Sequence, residues 1–217
     1  MTDAEWLTSQ DAWAMLHAVQ QSSPSERKVR LFNSAVCGRF WDYLPEASQA
    51  ILLKSELLAD GQIQVPLDDM ELCGLANNVV AVFDRQYPQK QFPSREVRIQ
   101  RDAAAAVCYA VVPKELWGAA SYFWEIDEAE KYAHCEIIRD IFDNPFRPVT
   151  IDPSWVTPVV VALAQSIYND RVFDRMSEVA DALEAAGCTE THMLEHCRGS
   201  GPHVRGCWVL DVILGKA

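Results

Sequence analysis

The sequence predicts an all-α fold: an irregular multi-helix array of short helices with a smaller C-terminal helical lobe. Three observations predict it. Helix-start and helix-stop residues recur along the whole chain, apolar residues between them return at spacings of three and four, and alternating runs of the strand type are nearly absent. About nine or ten helices are expected, with no sheet and no fixed repeat.

The elements follow in order. Ser23, Pro24, Ser25 and Glu26 read as a capping box with proline at the first helical position. They open a segment in which Val29, Phe32, Val36, Phe40 and Tyr43 share one helical face. Pro45 opens the next helix, and Gly61 closes it in the C-cap place. A third helix is expected from about Leu67 to Phe83, followed by a loop from Gln86 to Pro93. Ser94 then caps an alanine-rich, strongly helix-favouring segment that Pro113 ends. One long helical stretch is expected from Lys114 to about Phe142. Four prolines follow within DNPFRPVTIDPSWVTP, the best lobe boundary in the chain. This gives a main body over 1–144 and a C-terminal lobe over 145–217, folding as one cooperative unit. In the lobe, Thr157 and Pro158 start a helix, a second ends at Gly187, a short one holds THMLEHC, and a last runs from about Val204 to Leu214.

Composition limits function. The 217 residues bury roughly 70% of the surface the unfolded chain exposes, so neither metal nor disulfide is needed merely to fold. The net charge is −12, from 31 acidic and 19 basic residues, which repels a phosphate backbone and favours a basic protein partner. The N-terminus shows no secretory pattern, and no apolar run approaches the ~20 residues of a membrane span. Seven scattered cysteines without a C-x-x-C pair point to reduced thiols and a cytoplasmic location.

Six of the chain's Cys and His residues crowd its end: Cys188, His192, His196, Cys197, His203 and Cys207. Thiolate and imidazole are the ligands that soft and borderline metals prefer. Cys188, Cys197, His203 and Cys207 have the rhythm of a Cys₃His zinc site, though without the C-x-x-C knuckle. The same thiols also read as small hydrophobes filling the interior, and this reading is preferred. His192 to His196 matches H-x-x-E-H, the inverted zinc-peptidase signature, but no glutamate follows Glu195 to serve as third ligand.

Other patches offer binding chemistry. Arg198, His203 and Arg205 surround a glycine-rich loop where Pro202 can start a helix whose amides favour an anion or an acidic side chain. Arg27, Lys28, Arg30 and Arg39 form a basic stripe, expected to be a solvated face paired with acidic helices. Trp117 and Trp124, with Glu125, Asp127 and Glu128, offer an aromatic and acidic face to a protein partner. No nucleophile elbow or complete catalytic set is present.

Several segments carry a resemblance. CEIIRDIFDNPFRPVTIDPSW, VVALAQSIYNDRVFDRMSEVADALEAAGC and HCRGSGPHVRGCWVLDVILGK, with RKVRLFNSAVCGRFW near residue 30, resemble a large paralogous family of uncharacterised planctomycete proteins. The resemblance covers most of Cys135 to Lys216, and GPHVRGCW is its most specific phrase. It implies no activity, ligand or catalytic residue. Relatives show adjacent cysteines where this chain has Val36 and Cys37, and His192 stands outside the pattern.

Together these readings lead to an expected function. The chain is a non-catalytic cytosolic protein–protein interaction module with an acidic surface, of an inhibitor or immunity type, needing no cofactor. The alternatives are a zinc-binding protein using the C-terminal Cys and His residues, and a small-anion binder at the loop from Arg198 to Arg205.

Overall fold

The computed structural model describes residues 1–63, 69–112, 116–124 and 129–216. Among these residues there are twelve α-helices and three short 3-10 helices, with no strand. The fold is all-α. No helix of the described residues is long and apolar enough to cross a membrane.

In chain order the helices are α1 (Asp3–Thr8), α2 (Ala12–Gln21), α3 (Glu26–Gly38), α4 (Glu46–Ala59), α5 (Asp69–Gln86), α6 (Arg95–Ala110), α7 (Gly118–Trp124), α8 (Ala129–Phe142), α9 (Pro158–Asp170), α10 (Met176–Ala185), α11 (Thr191–Arg198) and α12 (Trp208–Leu214). Local chemistry sets most starts. Ser94 Oγ accepts the Val97 amide at 3.2 Å, and Thr157 Oγ1 accepts the Val160 amide at 3.4 Å. Such caps satisfy amides that have no partner inside the helix, each worth about 1 kcal/mol.

Several boundaries differ from the sequence reading. α1 and α2 precede the expected first helix; Thr2 forms a reciprocal capping box with Glu5, and Asp11 accepts the Ala14 amide. α3 is capped by Ser25, not Ser23, because Ser23 sits in the left-handed region at φ 53° and Ser25 Oγ reaches the Lys28 amide. Pro24 therefore precedes the cap. α3 ends at Gly38, before the expected Tyr43, and a 3-10 turn over Trp41–Tyr43 follows. Of the long stretch expected from Lys114 to Phe142, the described residues form α7 and α8; Lys114 and residues 125–128 lie outside those described. Leu67, the expected start of the third helix, also lies outside them. α12 begins at Trp208, not Val204, because residues 201–204 are irregular and Cys207 is its N-cap residue.

The chain divides into two compact units. One is Gln10–Cys135. The other joins Met1–Ser9 to Glu136–Ala217. The sequence placed its boundary at the prolines after Asn144, whereas the units part within α8. Prolines mark where a helix stops, not where packing stops, and an uninterrupted helix can serve two cores.

In the Gln10–Cys135 unit, Met15, Leu16, Leu31, Phe32, Val36 and Phe123 are buried, and the Phe40 and Phe123 rings stack at 4.1 Å. Each such side chain contributes roughly 1.5–3 kcal/mol through burial. The basic stripe of α3 is internally engaged. Arg27 pairs with Asp60 and Arg39 with Glu130. Arg30 is buried instead of solvated and donates to the Val111 carbonyl at 2.6 Å.

In the other unit, a single core gathers α9, α10, α11 and α12 around Tyr168, Met176, Leu183, Met193 and Leu210. Cys188, Cys197 and Cys207 belong to this core. Arg139 of α8 donates to the Trp6 and Ser9 carbonyls, and Trp6 meets Phe146 edge-on at 6.3 Å. These contacts tie the N-terminal helix α1 into the same unit.

Candidate metal centre

Four side chains from four parts of the second unit converge. α8 supplies Asp140 in its last turn, α11 supplies His196, the irregular segment after α11 supplies His203, and Cys207 caps α12. Each offers one ligand atom, and these atoms all lie within 4.8 Å of one another. Asp140 Oδ1 is 2.9 Å from His203 Nδ1 and 3.1 Å from His196 Nε2. His196 Nε2 is also 3.3 Å from Cys207 Sγ. The second carboxylate oxygen accepts the Val204 amide at 2.9 Å.

The local chain explains the placement. α11 ends at Arg198, and Gly199 and Gly201 allow a sharp return. Gly201 has φ 76°, and a Cβ there would stand 2.8 Å from the His203 amide nitrogen. Only glycine lets the backbone turn this tightly into His203. Trp208, next to Cys207, sets the α11 face. His192 stacks on its indole at 5.3 Å, and His196 lies tilted against it at 5.2 Å. The i, i+4 spacing of H-x-x-E-H therefore puts both imidazoles on one face, as expected of a helix, but that face receives an indole. His192 turns to Asp143, 2.8 Å from Nε2, and stands outside the donor group. Glu195 is exposed.

Burial governs the electrostatics. Asp140 is 2% exposed. Burial alone would raise its carboxyl, but hydrogen bonds and charge from His196 and His203 outweigh it, and the carboxyl lies below its ordinary value. Burial, then the charge of Asp140, hold the Cys207 thiol well above its usual range, so the thiol keeps its proton. The side chain of His203 is 8% exposed, and its Nε2 is buried with no hydrogen-bond partner.

A tetrahedral ion with ligands at about 2.0–2.3 Å sets those ligands about 3.3–3.7 Å apart. The three short separations around Asp140 and His196 fall within a few tenths of an ångström of that range. A carboxylate oxygen, two imidazole nitrogens and a sulfur form a borderline donor set, which suits Zn²⁺ better than Mg²⁺ or Ca²⁺.

The expected Cys₃His set is only half gathered here. His203 and Cys207 join the group, while Cys188 and Cys197 lie outside it. Burial, then the Asp140 charge, push the Cys197 thiol up to about 12. Asp140 is the residue that sequence reasoning missed. It lies far upstream of the Cys and His cluster, yet one signal marked it. On α8 the buried positions include Ile137, Ile138 and Ile141, and Asp140 falls in phase with them, an acid on an apolar face.

The remaining candidates are placed as follows. Arg198 pairs with Asp181 and Glu184 at the surface. Arg205 is buried with its guanidinium 4.8 Å over the Tyr168 ring. Pro202 does not start a helix, and the Val204 amide meets an anion from within the chain, Asp140. Trp117 and Trp124 are half-buried and both flank Trp13, at 5.4 and 6.1 Å. Glu125, Asp127 and Glu128 lie outside the described residues.

No protein family, curated protein or solved structure that was compared with the chain matches it.

Proposed function

We propose that this is a zinc-binding protein in which Asp140, His196, His203 and Cys207 hold one Zn²⁺ as a structural clamp. The observation that carries this reading is the convergence of the four donor atoms within 4.8 Å. Four protein ligands complete a tetrahedral zinc shell, the pattern of a structural site; a hydrolytic site keeps one position open for water. The engagement of His192 by Asp143 also speaks against the peptidase arrangement. Binding displaces the Cys207 proton and the imidazole protons facing the ion, so the ion replaces a proton-filled hydrogen-bond hub around Asp140. The ligands come from α8, α11, the segment after it and the start of α12, so one ion fixes these elements together.

Elemental analysis of protein purified without chelator tests the reading. One equivalent of zinc is expected, and less than about a tenth of an equivalent ends it. Cobalt substitution then assigns the ligands. The thiolate-to-cobalt absorption band disappears in Cys207→Ser and persists in Cys197→Ser and Cys188→Ser. Loss or weakening of the band in Cys188→Ser and Cys197→Ser as well as in Cys207→Ser would restore the Cys₃His set.

A second reading is favoured by a different observation. Trp13 is 53% exposed beside Trp117 and Trp124, on a chain of net charge −12. An exposed tryptophan on an acidic protein suits a basic protein partner, as in an inhibitor or immunity protein. All seven cysteines are free, which suits a reducing compartment such as the cytosol.

A further inference from the structure

Of the seven cysteines, five are buried; the partly exposed pair is Cys73 on α5 and Cys108 on α6. These two thiols line the same cavity of about 540 Å³ in the Gln10–Cys135 unit. They also share one side chain. Asn77 Nδ2 donates to Cys73 Sγ at 3.3 Å, and the Cys108 thiol donates to Asn77 Oδ1 at 3.4 Å. We propose that Cys73 and Cys108 form a second metal site, which takes Cu(I) as a two-coordinate bis-thiolate in the cavity between α5 and α6.

The donor set selects the ion. Thiolates favour soft cations. Among the described lining residues there is no imidazole, and the carboxylate of Asp84 is held by Arg101 at 3.2 Å. Two sulfurs without an imidazole or an unpaired carboxylate beside them fall short of the four Cys, His or acidic ligands of a protein zinc shell, whereas a monovalent d¹⁰ ion is satisfied by two. The bonds that hold the thiols in place are weak, since sulfur is a poor donor and acceptor, so an ion displaces them easily. Both sulfurs are partly exposed, and an ion reaches them without unfolding.

The charge balance also closes. Two S–H bonds break, two S–Cu bonds form, and two protons leave to solvent with no change of oxidation state. The resulting complex carries one negative charge. Arg101 lines the same cavity and supplies the opposing positive charge. Its influence already reaches Cys108: burial, then the neighbouring Cys73, push that thiol up to about 11, while a hydrogen bond to its sulfur and the Arg101 charge draw it down.

The test uses the full chain under anaerobic conditions, with Cu(I) supplied as the complex of a coloured chelator. The chain is expected to withhold one equivalent. Cys73→Ser and Cys108→Ser each weaken capture by at least about a hundredfold in protein first treated with zinc, where the Asp140 group does not compete for copper. Iodoacetamide followed by mass spectrometry gives a readout that needs no variant: Cu(I) protects both Cys73 and Cys108, and the metal-free chain is alkylated at both. If the chain withholds no copper, or if the double variant Cys73→Ser/Cys108→Ser withholds as much as the parent, the proposal is overturned.

Discussion

His134 shows how one buried side chain sets a pH response. Its side chain is fully buried, and its Nδ1 accepts the Trp124 indole N–H at 2.7 Å. Burial, aided by the charge of Arg39, pushes its pKa down to about 3. An unfolded histidine titrates at about 6.5. Below that pH the unfolded chain binds a proton that the native chain refuses. The stability contributed by neutral His134 is therefore complete above about pH 6.5 and is lost as the pH falls toward about 3, at ~1.4 kcal/mol per unit. His134→Gln keeps an acceptor for Trp124 and removes the titration. Between about pH 7 and pH 5 the parent should lose ~2 kcal/mol more than this variant in urea unfolding; equal losses would refute the assignment. Asp140 illustrates the opposite outcome of burial. Its charge survives because donors surround it, and the same donors place it where an ion can sit.

At the scale of elements, the α6–α7 contact is decided by one missing methyl group. A Cβ at Gly118 would stand 2.6 Å from Tyr109 Cδ1 and 3.0 Å from Tyr109 Cβ. Tyr109 cannot retreat freely, because its ring packs against Tyr122 at 5.5 Å. Gly118→Ala should thus destabilise the protein by about 1–3 kcal/mol through overpacking. Gly38 at the end of α3 has no heavy atom within 4 Å of its would-be Cβ, and Gly38→Ala should instead raise stability by about 0.5–1 kcal/mol. Chemical denaturation of the pair checks both signs, and equal effects would mean that the α6–α7 packing is looser than described. Elements were the scale at which the sequence was most legible. Ser94 and Thr157 cap the helices they were expected to cap. The reading failed at α1, whose six residues after the cap Thr2 are too few for an apolar period, and at α2, although Ala12, Met15, Leu16 and Val19 behind the cap Asp11 do carry one.

At the scale of the whole molecule, net charge governs encounters. A chain at −12 attracts basic partners over a range that salt shortens, from about 14 Å at 0.05 M to about 6 Å at 0.3 M. Association with a basic protein should accordingly weaken severalfold across that interval, chiefly through a slower on-rate. Titration calorimetry in the two salts would show it, and salt-insensitive binding would remove the acidic-interaction reading while leaving the zinc proposal untouched.

The sequence by itself determined the fold class, several helix starts and the burial of the C-terminal thiols, because caps, apolar spacing and residue hydrophobicity act over a few neighbouring residues. It also brought His203 and Cys207 into view as donors. Only the tertiary structure decided that Asp140 and His196 stand beside them, that Cys188 and Cys197 lie outside that group, and that Cys73 and Cys108 meet on one asparagine. Those choices depend on which helix faces are brought together by packing, and no local pattern encodes the distance between side chains on separate helices.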